Sequence, residues 1–485
     1  MKLFGTDGVR GEAGKFLTEE LAYKLGLHAA NRLKMKNANK KLEILIGTDT
    51  RISCDMLKFA MISGITSVGV NVVDAGVIPT PAVSFLVREN KYCSGVMISA
   101  SHNPFYDNGI KFFNDEGYKL SDEIEEEIEK SILENSLVSR VSHEQIGIVK
   151  KFSGYEKYIY HIQRIFKNKS VLMTETSNEI LSLGLVPKKL KIAIDTANGA
   201  CYKIAREIFS EHFEVHVIND SPNGININDN CGSTHMGGLS QYVFQNDLDL
   251  GIAFDGDGDR MLAVDSKGNI LNGDELMLIF ANYLHKNGTL AGNTLVATIM
   301  SNSALTQSLL EKGISTVKTK VGDRYVLEEM LENGYSLGGE DSGHIIFLDE
   351  ATTGDGLLSA AMLLKIICEE ASQEVCPSGK MQDLRVGSVA YPSSKTQGLR
   401  PGLEGLNTLV RYPQITISAE ADDSKKKNFE TKEILQKIDE FKLKHSAVTV
   451  RASGTEPVIR ITIEGQDKEE IMRDARIIQK MIGDI

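Results

Sequence analysis

The sequence predicts three similar α/β domains followed by a smaller α+β unit. A pattern of apolar strand, polar loop, helix-like run and second strand occurs three times, starting at "LEILIG" (42–47), "LKIAID" (190–195) and "NTLVATI" (293–299). Such alternation favours parallel or mixed sheets with helices on their faces. The tail from "ITIS" (415–418) onward mixes short strands with helix-like runs and is typical of an α+β unit. Ligands are therefore expected on the loops that leave the carboxyl ends of the strands.

The composition is that of an ordinary globular protein. The chain has 485 residues, of which 41% are hydrophobic and 25% charged, and a net charge of −12. No long basic run is present, so nucleic acids and anionic membranes are poor candidates as partners. The six cysteines form no C-x-x-C pair, which argues against a zinc knuckle or a dithiol site. Without an apolar stretch of signal-peptide or bilayer-spanning length, a cytoplasmic protein is expected.

The stretch "AFDGDGDRMLAV" (253–264) is the strongest chemical signal. Three acidic residues alternate with glycines directly after an apolar strand: Asp255, Asp257 and Asp259. Carboxylates turned toward one point repel each other unless a cation lies between them, and Mg²⁺ serving a phosphate fits best. A calcium-binding EF-hand loop does not fit, because Arg260 and Ser266 occupy its glycine and glutamate positions. A solvent-exposed turn remains the structural alternative.

A second loop, "RASGTEPVIR" (451–460), has the composition of an anion site. Its small residues allow backbone N–H groups to converge on one point, and Ser453 and Thr455 add hydroxyls. The guanidinium groups of Arg451 and Arg460 match the geometry of a phosphate. The alternative is a Gly/Ser turn with two surface arginines.

The loop "ISASHNP" (98–104) places Ser101 and His102 at the end of a strand-like run. It lacks a G-x-S-x-G elbow, so serine-hydrolase chemistry is not indicated. A metal site and a separate phosphate site suit phosphoryl transfer, and Ser101 is then the predicted phosphoryl carrier, with His102 and Arg260 beside its phosphate. We expect Lys111 to exchange a proton with a sugar hydroxyl if nearby cations lower its pKa.

The glycine-rich stretch "LGGEDSGHIIF" (337–347) offers polar groups for a sugar. Glu340, Ser342 and His344 could hydrogen-bond sugar hydroxyls, although a tight turn explains the same pattern. The alternatives stay open, because none of these residue types selects one ligand by itself.

Two further glycine-punctuated loops carry arginines. Arg10 in "FGTDGVRG" (4–11) could neutralise a phosphate, and Arg51 in "GTDTR" (47–51) could instead pair with Asp49 in a structural role. The spacing alone does not decide between these roles.

Five motifs in this order, "FGTDGVRG", "SASHNP", "DGDGDR", "GGEDSGH" and "RASGTEP", resemble the α-D-phosphohexomutase superfamily. The resemblance runs from residue 4 to residue 460. The opening is most similar to the bacterial branch that acts on glucosamine phosphates, with the glucose and mannose phosphate branches as the runner-up. The resemblance to the superfamily implies three similar mixed-sheet α/β domains and a smaller C-terminal α+β domain around a central cleft. The implied domains are residues 1–154, 155–267, 268–378 and 379–485.

The resemblance also implies residue roles. Ser101 would be the phosphoserine, would share one Mg²⁺ per subunit with Asp255, Asp257 and Asp259, and would exchange its phosphate through a sugar 1,6-bisphosphate. The implied catalytic groups are Ser101, His102, Lys111, Arg10 and Arg260. The implied substrate contacts are Gly322, Asp323, Arg324, Glu340, Ser342, His344, Arg451, Ser453, Gly454, Thr455 and Arg460. The substrate would be a hexosamine phosphate on the route to UDP-N-acetylglucosamine and cell-wall precursors.

Some features depart from the family pattern, and other functions remain open. Ala452 stands where the family usually has Pro, Asp341 where Gln is expected, and the chain is longer near 166–190 and 393–430. A metal-dependent phosphatase with an Asp nucleophile leaves the Ser101 and Arg451 loops unused. A non-enzymatic calcium-binding module conflicts with the broken EF-hand spacing. The oligomeric state is undetermined, with a homodimer as one option.

Overall fold

A computed structural model describes residues 2–5, 7–36, 42–152, 154–166, 189–375, 403, 406, 409–453 and 457–484. Its contacts divide the chain into two units: Met1–Ile299 with Val317–Asn407, and Met300–Thr316 with Thr408–Ile485. Much of the two long segments noted in the sequence lies outside the described residues. None of the helices in the described ranges is long and apolar enough to cross a membrane.

The first sheet has six strands in the order β1-β5-β4-β2-β3-β6. Its elements are β1 (Val9–Glu12), α1 (Glu19–Lys36), β2 (Glu43–Thr48), α2 (Cys54–Ser67), β3 (Asn71–Val77), α3 (Thr80–Asn90), β4 (Ser94–Ile98), β5 (Asp107–Phe113), α4 (Asp122–Leu133) and β6 (Val149–Lys151). Strand β2 pairs in parallel with β3 and β4, whereas β5 is antiparallel to β1 and β4. The sheet is therefore mixed, as the sequence predicts.

Apolar side chains on both faces explain why β2 and β4 lie inside this sheet. Every residue of β4 and nearly every residue of β2 is buried, which suits strands covered by helices on both sides. The loops that follow β2 and β4 carry Asp49 and Ser101 and leave the sheet at the same edge, because the two strands are parallel. The fold thereby brings these two loops together.

The second sheet has five strands in the order β11-β10-β9-β7-β8. After α5 (Glu156–Gln163), its elements are β7 (Lys191–Asp195), α6 (Ile204–Phe209), β8 (Glu214–Ile218), α7 (Gly237–Gln245), β9 (Leu250–Phe254), β10 (Met261–Asp265) and β11 (Ile270–Leu271). Strand β7 is parallel to β8 and β9, and β10 is antiparallel to β9. The fully buried β9 ends immediately before Asp255 and so fixes the start of the acidic loop.

The third sheet has four strands in the order β13-β12-β14-β15. Its part of the chain contains α8 (Gly273–Lys286), β12 (Thr294–Thr298), α9 (Ser303–Leu310), β13 (Ser315–Thr319), α10 (Asp323–Asn333), β14 (Leu337–Gly339), β15 (Ile345–Phe347) and α11 (Gly356–Val375). Helix α8 begins with a capping box, in which Asn272 accepts from the N–H of Glu275 and the Glu275 side chain accepts from the N–H of Asn272. Strands β14 and β15 flank the Glu340 loop.

The C-terminal sheet has three antiparallel strands in the order β16-β18-β17. Its elements are β16 (Gln414–Glu420), α12 (Asp423–Asn428), α13 (Lys432–Lys442), β17 (Ala447–Ala452), β18 (Val458–Glu464) and α14 (Lys468–Gly483). Isoleucines of the strands and helices form its buried core. The predicted architecture of three mixed-sheet α/β parts and a smaller α+β part is confirmed, and the residue boundaries assigned to the domains stay a prediction.

Gly273 at the start of α8 packs closely against the backbone of the Glu340 loop. Its N–H donates to the Asp341 carbonyl at 2.9 Å, and a Cβ added there would lie 2.0 Å from the Glu340 carbonyl oxygen. Gly273→Ala should therefore destabilise the protein by about 1–3 kcal/mol through overpacking and lower the midpoint of thermal unfolding by several degrees. Gly237→Ala is the matched control, since Gly237 also begins a helix and its added Cβ meets nothing within 4 Å. Equal midpoints for both variants would contradict this account.

Candidate active site

Ser101 lies in the loop after β4 and is almost completely buried. Its Oγ donates a hydrogen bond to Asp255 Oδ2 at 2.5 Å, and its N–H donates to Ser99 Oγ at 2.9 Å. Its φ of +53° lies in the left-handed region, which costs a non-glycine residue about 1–3 kcal/mol and is concentrated at functional sites. The structure thus confines this hydroxyl beside the acidic loop.

The acidic loop brings its three carboxylates together. Oxygens of Asp255, Asp257 and Asp259 all lie within 4.8 Å of one another, and all three residues are buried. Burial, followed by the charges of Asp259 and Asp257, raises the pKa of Asp255 well above its usual value. Within the described part of the chain, Asp257 Oδ1 and Asp259 Oδ1 have no hydrogen-bond partner. Crowded, buried and partly unpaired carboxylates are the donor set that a hard divalent cation requires.

Lys111 is the closest cation to this cluster. Its Nζ lies 2.9 Å from Asp257 Oδ2, 3.2 Å from Asp7 Oδ2 and 3.7 Å from Asp259 Oδ2. Burial acts to lower the pKa of Lys111, but the three carboxylates outweigh burial and raise the pKa above its ordinary value. The condition set for proton exchange by Lys111, a pKa lowered by nearby cations, is therefore not met among these neighbours, because the carboxylates dominate.

A group of nitrogen donors lies around His102, the residue that follows Ser101. The backbone N–H of Arg260 donates to Asp255 Oδ1 at 3.2 Å, and the Arg10 side chain forms an ion pair with Asp7. Burial, Arg260 and Arg10 lower the pKa of His102 to about 4, so its imidazole is neutral at pH 7. The Nε atoms of both arginines and Nδ1 of His102 are buried without a hydrogen-bond partner among the described residues. Buried donors without partners beside a serine hydroxyl fit an anionic ligand.

The Glu340 loop reaches the same site. His344 Nδ1 lies 3.7 Å from Asp259 Oδ2, and Glu340 Oε1 accepts from the Gly322 N–H at 3.0 Å. Burial raises the pKa of Glu340. The buried Ser342 Oγ has no partner in the described ranges, so this hydroxyl is available to a ligand. The structure therefore brings His344 of this loop to the acidic cluster.

The side chains of Asp323 and Arg324 are engaged in ion pairs with the first part of the chain. Lys119 Nζ lies 2.5 Å from both Asp7 Oδ1 and Asp323 Oδ2, and Arg324 pairs with Asp122. The predicted substrate contacts of Asp323 and Arg324 stay a prediction, while Lys119 joins their loop to the Asp7 loop. Sequence reasoning missed Lys119, because "GYKLSD" looks like an ordinary surface turn.

Thr80 and Asn228 are further members of the site that sequence reasoning missed. Thr80 Oγ1 donates to Asp257 Oδ2 at 2.6 Å, and Asn228 Nδ2 donates to the Ser101 carbonyl at 2.9 Å. Each is an isolated polar residue in its own stretch, so no local spacing marks it. Arg51, by contrast, forms the buried pair with Asp49 that was one of its two predicted roles.

The predicted phosphate loop lies in the C-terminal α+β part. The pairing of β17 with β18 places Arg451 opposite Arg460, and Ser453 is buried at the end of β17. Lys426 Nζ donates to the Ser453 carbonyl at 2.8 Å and adds a third cation that the sequence reasoning did not include. The predicted contacts Gly454 and Thr455 lie outside the described residues.

Comparison with known families covers each of the four parts. Models described as phosphoglucomutase/phosphomannomutase alpha/beta/alpha domains I, II and III match residues 1–139, 173–268 and 272–377, and the model of the C-terminal domain of the same family matches residues 411–479. The chain belongs to the phosphoglucomutase/phosphomannomutase family. This finding confirms the resemblance that the five sequence motifs indicate.

Several relatives that match over nearly their full length are phosphoglucosamine mutases. The chain is 46% identical over 486 residues to a phosphoglucosamine mutase of Caldicellulosiruptor bescii, an alignment that covers 99% of this chain and 98% of the relative. It is 45% identical over 490 residues to a phosphoglucosamine mutase of Clostridium acetobutylicum, with the same coverage. The similarity extends over nearly the whole of each protein, so it includes every loop of the candidate site.

Solved structures share the fold at lower identity. A phosphoglucomutase/phosphomannomutase family protein from Burkholderia thailandensis aligns with a TM-score of 0.72 at 22% identity and covers 99% of this chain and 97% of its own. Aspergillus fumigatus N-acetylphosphoglucosamine mutase, solved in complex with GlcNAc-6P and magnesium, aligns with a TM-score of 0.64 at 17% identity, covering 99% of this chain and 95% of its own. These alignments confirm the fold.

The carboxylate cluster predicts a measurable cation site. Asp257→Asn removes one of three converging charges and should weaken Mg²⁺ binding at least tenfold, about 1.4 kcal/mol, in a calorimetric titration. Asp115→Asn is the control, because Asp115 is an exposed carboxylate in a turn and should leave the titration unchanged. Wild-type affinity in the Asp257 variant would contradict a role for the cluster in cation binding.

Proposed function

We propose that this chain interconverts glucosamine 6-phosphate and glucosamine 1-phosphate through a phosphoserine at Ser101 and a sugar 1,6-bisphosphate. The observation that carries the proposal is the hydrogen bond of the buried Ser101 hydroxyl to Asp255; Arg10, Arg260 and His102 also have buried nitrogens without a hydrogen-bond partner among the described residues. A hydroxyl between a carboxylate cluster and anion-binding donors suits a group that gains and loses a phosphoryl unit.

The acidic cluster is the proposed Mg²⁺ site. Asp255, Asp257 and Asp259 would hold the ion together with the phosphate on Ser101. Oδ1 of Asp257 and Oδ1 of Asp259 have no hydrogen-bond partner in the described ranges, which fits this role. When bound, Mg²⁺ neutralises negative charge on the phosphoryl oxygens. Arg10, Arg260 and His102 would hold the same phosphate, through nitrogens that lack a hydrogen-bond partner among the described residues.

The proposed reaction is a pair of phosphoryl transfers in opposite directions. A sugar hydroxyl attacks the phosphorus of phosphoserine, the bond between phosphorus and Ser101 Oγ breaks, and the sugar becomes a bisphosphate. The attacking hydroxyl loses a proton, and Ser101 Oγ gains one. The proton that the attacking hydroxyl loses is thus balanced by the one that Ser101 Oγ gains, and Lys111, 2.9 Å from Asp257, is the proposed group that exchanges a proton with the sugar hydroxyl. After the bisphosphate turns around, its other phosphate returns to Ser101 and the proton movements reverse.

The remaining predicted residues would hold the sugar phosphate during these transfers. Glu340, Ser342 and His344 are the proposed contacts of the sugar, supported by the position of His344 beside Asp259. The proposed loop contacts of the third sheet are Gly322, Asp323 and Arg324. The proposed ligands of the non-reacting phosphate are Arg451, Ser453, Gly454, Thr455 and Arg460. Phosphate held by paired guanidinium groups keeps the sugar oriented for in-line transfer.

The choice of an amino sugar rests on the relatives and on charge. Relatives that match over nearly their full length are named phosphoglucosamine mutases. A 2-amino group carries positive charge for much of the time at neutral pH, and the site lies among buried acidic residues that favour a cation over a neutral hydroxyl. The proposed product, glucosamine 1-phosphate, would feed the synthesis of UDP-N-acetylglucosamine and cell-wall precursors.

The test compares kcat/KM for glucosamine 1-phosphate, glucose 1-phosphate and mannose 1-phosphate under one set of conditions with Mg²⁺ present. We expect glucosamine 1-phosphate to be preferred at least tenfold, because a polar site built for one substituent leaves a buried group unpaired with another. A preference for either neutral sugar would contradict the substrate assignment and leave the mutase chemistry standing.

Two serine variants serve as controls in the same assay. Ser101→Ala should lose nearly all turnover on all three sugars, since no oxygen remains to carry the phosphoryl group. Ser136→Ala, at an exposed position, should retain wild-type turnover. Full turnover by the Ser101 variant would remove the phosphoserine from the proposal.

A further inference from the structure

We infer that Arg51 and Asn228 are positioning residues that hold the Ser101 loop in its left-handed conformation from two different sheets, an inference that rests on the proposed phosphoserine role. Arg51 follows β2 of the first sheet, and Asn228 lies between β8 and α7 of the second sheet. Neither residue is assigned to the chemistry above.

The Ser101 backbone needs support from its surroundings. A φ of +53° at a serine is unfavourable, so the loop would relax if its neighbours allowed it. Relaxation would rotate the Cα–Cβ bond and carry Oγ away from Asp255, to which it now donates at 2.5 Å. The conformation therefore depends on groups that hold the loop's backbone.

Arg51 supplies most of that support from the first sheet. Its guanidinium is fully buried and pairs with Asp49 through Nε at 2.8 Å. The remaining guanidinium nitrogens donate to four carbonyl oxygens of one loop, those of Ser101, Asn103, Pro104 and Asp107. A planar fork of fixed geometry can satisfy several carbonyls at once, which the single ammonium of a lysine cannot do.

Asp49 connects the same arginine to the other side of Ser101. Its Oδ2 accepts from Ser99 Oγ at 2.6 Å, and Ser99 Oγ in turn accepts from the Ser101 N–H at 2.9 Å. The Ser101 N–H is therefore linked through Ser99 to Asp49, and the Ser101 carbonyl accepts directly from Arg51. The Asp49–Arg51 pair fixes the peptide units before and after the serine, and so fixes its backbone conformation.

Asn228 holds the loop from the second sheet. Its Nδ2 donates to the carbonyls of Ser101 at 2.9 Å and Asn103 at 3.1 Å, two of the four oxygens that Arg51 also contacts. Gly256, inside the acidic loop, packs against this junction: a Cβ there would lie 2.6 Å from the Ser101 carbonyl oxygen and 2.8 Å from Asn228 Nδ2. Asn228 therefore ties the serine loop to the loop that carries the acidic cluster.

This arrangement matters because Ser101 Oγ gives up and receives a phosphoryl group in every turnover. The oxygen has to return each time to one position relative to Asp255, and small displacements of a reacting atom slow a transfer strongly. Arg51 and Asn228 donate to the loop backbone, so their loss should affect the transfer step and leave substrate binding intact. The expected signature is a lower kcat with an unchanged KM.

The experiment uses Asn228→Ala, which removes the two hydrogen bonds without leaving a buried charge unpaired. Asn230→Ala is the matched control, since Asn230 is an exposed asparagine of the same loop with a similar left-handed φ, +53° against +59° at Asn228, and its amide donates to the Asp229 side chain. We expect kcat for glucosamine 1-phosphate to fall at least tenfold in Asn228→Ala, with KM within about twofold of the wild type. Hydrogen–deuterium exchange of peptides covering 98–110 should be faster in that variant and unchanged in the control.

Arg51→Lys tests the second residue, because it keeps a positive charge opposite Asp49 while it cannot reach four carbonyls. The same fall in kcat and the same faster exchange are expected. Unchanged exchange, an unchanged kcat, or a raised KM with kcat intact in both variants would overturn the inference. Hydrogen–deuterium exchange is measured without substrate, so it reports on the Ser101 loop whether or not the protein turns over sugar phosphates. A wild-type protein that turns over none of the three sugar phosphates would refute the proposed function separately.

Discussion

The site depends on one electrostatic constraint: three buried carboxylates lie within 4.8 Å of one another beside a serine hydroxyl. Like charges at this distance in a dry environment cannot all persist without compensation. Lys111 supplies part of the compensation directly, and Arg260 approaches from the other side. Carboxylate oxygens and guanidinium and imidazole nitrogens that have no hydrogen-bond partner in the described part of the chain would suit a cation and an anion respectively.

The charged and polar groups of the site lie on loops that belong to different sheets. The serine loop follows β4, the acidic loop follows β9, and His344 and Glu340 flank the turn between β14 and β15. Lys119 joins the Asp7 loop to Asp323, and Thr80 at the start of α3 donates to Asp257. No single sheet holds a complete site, so the chemistry requires the three α/β parts to be held together by such contacts.

Much of this arrangement could be predicted from the sequence. The repeated strand–loop–helix pattern gives the three α/β parts, and the D-x-D-x-D spacing gives the carboxylate cluster, because both depend on residues close together in the chain. Lys119, Thr80 and Asn228 could not be found in this way, since each is a lone polar residue whose partner is distant in sequence. The carboxylates that raise the Lys111 pKa could not be found from the sequence for the same reason, since Asp7 and Asp257 reach Lys111 from separate loops.

The most direct test of the account is the intact mass of the purified chain before and after incubation with a sugar 1,6-bisphosphate and Mg²⁺, followed by peptide mapping. The account predicts a mass gain of one phosphoryl group, located on the peptide that contains Ser101 and absent from Ser101→Ala. A chain that never gains this mass while it turns over sugar phosphate, or that gains it on another residue, would contradict the claim that Ser101 carries the phosphoryl group.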